Sequence, residues 1–182
     1  MTNPLLSSFT LPPFSAIKPE HVVPAVQAAL DDCRAAVEKT VAQGAPYTWD
    51  NLCQPLAEVD DRLGRLFSPV SHLNSVKNSP ELRQAYEQTL PLLSEYSTWV
   101  GQHEGLYQAY RNLKEGDSYA ALSQPQQKAV DNALRDFELS GIGLSKEKQK
   151  RYGEIAARLS ELGSTYSKQR AGCHNGLEQA DY

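Results

Sequence analysis

Few stretches of this sequence combine side chains suited to hydrolytic or metal chemistry, and "HEGLY", residues 103 to 107, comes nearest. A helical zinc-protease motif needs two imidazoles at i and i+4 on one face, with the intervening glutamate as general base. His103 and Glu104 supply the first half of such a motif. Tyr107 stands where the second imidazole must be, and Gly105 weakens the helix. The segment is therefore expected to be an exposed polar stretch near a helix end. "CHNG", residues 173 to 176, puts one thiol and one imidazole side by side. A structural zinc normally takes four ligands arranged as spaced pairs. Cys33 and Cys53 lie at apolar or near-apolar helical positions and do not readily complete the set.

No G-x-x-x-x-G-K-[ST] or G-x-G-x-x-G stretch occurs, which excludes a motif-built phosphate cradle. A Cys–His nucleophile pair would meet only in space, and nothing nearby in sequence lowers a thiol pKa. The acid pairs Asp31-Asp32 and Asp60-Asp61 read most simply as solvated helix faces. From the residues alone no catalytic residue and no metal ligand is assigned, and the substrate-binding residues are unknown.

The elements that would position any site are helices, because apolar residues recur at helical spacing almost everywhere and no useful β-period is found. Residues 1 to 16 read as extended: Pro4, Pro12 and Pro13 oppose helix, leaving Phe9, Leu11 and Phe14 to strap onto the body. A first helix begins near Pro19, with Val22, Val26, Leu30, Cys33, Val37 and Val41 as its stripe and Gly44 as its stop; Pro24 is a point where its first turn splits off. Thr48 caps a second helix bearing Leu52, Leu56, Val59, Leu63 and Leu66, which Ser68-Pro69 is expected to interrupt. Ser79-Pro80-Glu81 starts a third, expected to kink or divide at Pro91 and Gly101. Ser123 starts another, "SGIGL" (140 to 144) makes a tight turn, and Ser145 caps the last helix with Tyr152, Ile155, Leu159, Leu162 and Tyr166 on its stripe. The expectation is an all-α fold of five or six helices in antiparallel hairpins.

Composition narrows the function classes. The 182 residues carry a net charge of −4 with both signs interspersed, so no basic surface for nucleic acid or anionic lipid is implied. Three widely separated cysteines argue for a reducing compartment rather than a disulfide framework. The N-terminus lacks the basic start and apolar run of a signal peptide, and no stretch approaches the ~20 apolar residues that span a bilayer. A cytoplasmic protein is expected, with no membrane partner.

Longer stretches carry a family resemblance. "IKPEHVVPAV" (17–26), "SPVSHLNSVKNSPELRQAYEQTLPLLSEYST" (68–98), "KAVDNALRDFELSGIGL" (128–144) and "RYGEIAARLSELGSTYS" (151–167) resemble the N-terminal helical region of the thimet-oligopeptidase-like zinc metallopeptidases. The resemblance runs from residue 1 to about 167. It implies an almost wholly helical fold, cytosolic degradation of short peptides, and a zinc cofactor in the intact family. The family's zinc motif lies downstream of the region matched, so no catalytic or metal residue carries over. The chain alone is expected to bind no zinc and to be an inactive fragment. Oligopeptide substrates belong to the intact family. Chaperones or a C-terminal peptidase portion are the partners expected here, since some apolar faces would otherwise lack cover. A helical interaction module without enzymatic activity is the alternative, and a small metal-binding protein using the tail is a weaker one.

Residues 168–182 fit neither the helical rhythm nor the resemblance, and are expected to be an unrelated, disordered tail from a shifted reading frame. With one choice among synonymous codons, deleting a single base from codon 168 turns the tail into S-N-N-V-L-D-A-T-M-G-W-N-K-L-I. That reading resembles the family's continuation and restores apolar residues after Tyr166. The same frame change would account for a stop after Tyr182.

Overall fold

The structure, a computed structural model, describes residues 3–178, with side chains described through residue 169. Among these residues six α-helices follow in order: α1 (Pro19–Gln43), α2 (Gln54–Val76), α3 (Pro80–Gly101), α4 (Glu104–Glu115), α5 (Gln124–Leu139) and α6 (Lys146–Glu178), and the stretch before α1, expected to be extended, contains two 3-10 turns, Pro4–Leu6 and Phe14–Ala16. No strand occurs among the described residues, so the fold is all-α.

α1 is the element around which the others gather. Val22, Val26, Leu30, Cys33 and Val37 recur three or four residues apart, and all five are buried. Ala25 and Ala29 on the same side let neighbours approach closely, and α1 packs against α2, α3 and α4. Gly44 ends it at φ +73°, a conformation that costs a residue with a Cβ. Thr48 then accepts the Asn51 N–H at 3.3 Å while Asn51 Oδ1 accepts the Thr48 N–H at 2.8 Å. This reciprocal cap opens a π-helical turn, Trp49–Cys53, that runs directly into α2. Pro55 has no N–H for the Asn51 carbonyl, and Gln43 Nε2 donates to that carbonyl instead at 3.2 Å.

The prolines expected to break helices do not. Pro24, Pro69 and Pro91 all lie inside continuous helices, so Ser68-Pro69 does not interrupt α2 and Pro91 does not divide α3. Each removes one backbone hydrogen bond, at roughly 3 kcal/mol. Apolar residues on both sides of Pro69, Leu63 and Leu66 before it and Val70 after it, are buried in one core and hold the helix through the defect. Gly101 does mark a division: α3 stops there, and His103 caps α4.

Two apolar clusters share α1. The first joins the early part of α1 to α2 and α3; the second joins Val37, Tyr47, Leu52 and Cys53 to α4, α5 and Ile142. The N-terminal strap is anchored by Leu5, which is buried, whereas Leu11 and Phe14 are exposed. Of the three strap residues that the sequence suggests, Leu11 is exposed, Phe9 is partly buried, and Phe14 sets its ring 5.7 Å from His72 on α2. Asn3 places Leu5 by donating to the His21 carbonyl at 2.8 Å.

After α5, the turn at 140–144 uses Gly141 at φ +83°. It is pinned by Gln149, whose Nε2 reaches the carbonyls of Gly141 (3.2 Å) and Ile142 (3.0 Å). Gln102, just beyond α3, donates to the Ser140 carbonyl at 3.0 Å. α6 then runs back along α3: the position of a Cβ on Gly153 would be 3.2 Å from Thr98, and Lys168 pairs with Glu87 at 2.7 Å. Its backbone stays helical past Ser167 to Glu178. The expected disorder of 168–182 thus meets a helical backbone over 168–178, and its last part, 179–182, lies outside the described residues.

Candidate functional site

A cleft of about 480 Å³ lies where α2, α3, α4 and α5 converge on the end of α1. Its lining is largely apolar, with Leu56, Val100 and Phe137 among the walls, and Cys53, Tyr96 and Tyr110 supply polar atoms. Its volume and apolar lining would accommodate a small ligand or a side chain.

The thiols in and beside the cleft are suited to packing rather than attack. Burial pushes the Cys53 thiol up to about 11, with the Tyr110 hydroxyl pulling it only partly back. At neutral pH about one molecule in ten thousand would carry the thiolate. Cys33 is also raised by burial, partly offset by Tyr96, and its Sγ lies 3.6 Å from the Val59 carbonyl. Burial raises both tyrosines as well, and the neighbouring cysteine sulfurs add to the effect. Two phenols and two thiols therefore stay protonated across the physiological range.

The histidines fall in separate places. His21 Nδ1 accepts the Lys18 N–H at 3.1 Å at the start of α1. His72 sits on α2 with its ring 5.7 Å from Phe14. His103 caps α4: Nδ1 accepts the Leu106 N–H at 3.1 Å, which leaves Nε2 to donate toward Glu38 Oε1 at 3.4 Å. Its ring stands edge-on to Trp99 at 5.0 Å, and its side chain is only 15% exposed, so it is not the exposed polar residue that the sequence suggests. Glu104 accepts from Gln108 at 2.8 Å, and Tyr107 meets Phe137 at 5.7 Å. "HEGLY" is thus a helix start whose three polar or aromatic side chains point to three different partners.

Among the described residues, no group of three or more His, Cys, Asp or Glu side chains comes together to hold a metal ion. The described donor set does not fit a four-ligand zinc centre. Asp31, Asp32, Asp60 and Asp61 lie on exposed helix faces. The "CHNG" residues Cys173 and His174 lie outside the described side chains.

Two clusters have no local signature in the sequence. Arg34 lies 4.7 Å over Trp99 and 5.7 Å over Tyr96, and pairs with Glu95 at 3.3 Å, joining α1 to α3. Lys114 pairs with Asp131, which also accepts the Tyr119 hydroxyl at 2.9 Å, joining α4 to α5. Those two donors hold the Asp131 carboxyl below its ordinary value. Both clusters unite residues from different helices, and only the packed fold brings them together.

The cleft and clusters sit in a chain with close relatives. The pattern described as "Neurolysin/Thimet oligopeptidase, N-terminal domain" matches residues 23–149. Oligopeptidase A of Salmonella typhimurium is 82% identical over 167 residues, which cover 92% of this chain and 25% of the relative. Oligopeptidase A of Escherichia coli is 81% identical with the same coverage, and a probable cytosolic oligopeptidase A of Arabidopsis thaliana is 32% identical over 92% of this chain and 24% of its own length. The chain spans about a quarter of the length of these curated relatives. The continuous match to the N-terminal domain, together with the all-α architecture, means that this chain belongs to the neurolysin/thimet oligopeptidase family.

Proposed function

We propose that the chain is the N-terminal helical portion of an oligopeptidase A-type zinc endopeptidase and does not by itself carry the hydrolytic centre. The observation that supports this most strongly is the 82% identity over 167 residues to only a quarter of a relative named as an oligopeptidase. Amide hydrolysis by a zinc enzyme requires ligands that hold the ion with an open position for water.

In this reading the intact enzyme degrades short peptides in the cytosol, and α1 to α6 form part of its helical body. The name of the Arabidopsis relative supports the cytosolic assignment. Residues 168–182 are read as a shifted-frame segment, a reading supported by a match that covers the N-terminal 92% of the chain. Resequencing around codon 168 tests that part: an unaltered frame with no displaced peptidase frame beyond it would defeat it. Native mass spectrometry of the purified chain with added zinc tests the main reading. The apo mass is expected at equimolar zinc; a stoichiometric, tightly held ion would contradict it.

A further inference from the structure

α6 carries an apolar stripe that its neighbours among the described residues leave about half open or more. Ile155, Leu159, Leu162 and Tyr166 are 45%, 63%, 46% and 64% exposed. Their spacing of four, three and four residues places them along one side of the helix. The side of α6 that packs on α3 is a different one, carrying Tyr152, Gly153, Ala156 and Ser160. Arg151 pairs with Glu154 at 3.1 Å and Arg158 with Glu161 at 2.5 Å, so charged pairs border the stripe. An apolar centre with a charged border is the anatomy of a protein–protein contact.

The relatives' extra length indicates the occupant. All four stripe residues precede position 167, inside the part matched by the oligopeptidase A relatives, and three quarters of the Salmonella relative lies outside that match. We infer that this face of α6 is the surface on which the remaining polypeptide of an oligopeptidase A docks, and that this chain can assemble with such a portion supplied separately. The inference rests on the reading of the chain as an N-terminal portion, and deepens it by naming the surface and the partner.

The test co-expresses the full chain with the Salmonella oligopeptidase A polypeptide that follows the matched segment. A one-to-one complex is expected by size-exclusion chromatography with light scattering. Leu159→Glu and Leu162→Glu should each weaken it at least ten-fold while leaving the far-ultraviolet circular dichroism of the chain unchanged. Val76→Glu, at another exposed apolar residue (65%), should bind as the unaltered chain does. A second measurement keeps the test decisive if the separate portion folds poorly. Residues 1–167 carrying Leu159→Cys are joined in one polypeptide to the relative's remainder, and thiol labelling at that position is compared with labelling in the 182-residue chain. Labelling at least ten-fold slower in the joined polypeptide supports the inference. Equal labelling rates, a Leu159→Glu variant that binds normally, or a stripe that only pairs copies of this chain would overturn it. A stripe-dependent complex that hydrolyses no peptide would leave the docking surface standing and contradict the peptidase reading instead.

Discussion

His103 shows how a side chain suited to catalysis is spent on structure. Its Nδ1 satisfies one of the free N–H groups at the start of α4, and its Nε2 faces Glu38. Replacing a capping side chain with alanine costs about 1 kcal/mol. His103→Ala should therefore lower the urea midpoint by a corresponding amount. Cys53 gives a pH prediction. Its thiol is raised from 9.0 to about 11, chiefly by burial. Between those values the folded chain keeps a proton that the unfolded chain has released. The thiol's contribution to stability is complete below pH 9.0 and is lost as the pH rises toward 11. Urea unfolding followed across that window should show falling stability, and Cys53→Ala should flatten the part due to this group. At this scale the sequence was legible in one direction. It marked His103 as a polar residue at a helix end, but its capping role was hidden, because imidazole is not among the side chains usually found at that position.

The helices show which local signals survive packing. Thr48, Ser79 and Ser123 each begin a helix where their side chains imply one: Thr48 and Ser79 each accept an N–H three residues on, and Ser123 donates its N–H and hydroxyl to Gln126 Oε1, so no distant partner is needed. The proline breaks failed for the opposite reason. A single missing N–H competes against buried residues contributed by α1 and α3, and the sequence does not show which residues those will be. Leu5 is a similar case: its burial depends on Asn3 reaching the His21 carbonyl, eighteen residues away. The junction of α5 and α6 supports two predictions. Gly141→Ala forces a Cβ into a φ of +83° and within 2.8 Å of Leu144 Cδ1, and should destabilise the fold by about 1 kcal/mol or more in chemical denaturation. Gln149 is buried and bonded to two carbonyls, so Gln149→Ala leaves acceptors unpaired and should cost roughly 1–3 kcal/mol. Hydrogen exchange should show the loss first at the start of α6 for both variants.

For the molecule as a whole, fold class and kinship were written in long stretches of sequence, while the site was not. Helical periodicity and start signals are local, and the resemblance rests on segments too long to arise from a cap or a turn. The cleft, the Arg34–Trp99 stack and the Lys114–Asp131 pair depend on which helices meet, which a single sequence does not state. The same holds for α6: its stripe was readable as apolar, and its exposure became apparent only with α3 in place on the other side. The central claim is that the hydrolytic centre lies outside this chain. Incubating the purified 182-residue protein with zinc and an internally quenched oligopeptide tests it most directly. No turnover above a zinc-only control is the predicted result; chelator-sensitive cleavage that co-purifies with the chain would contradict it.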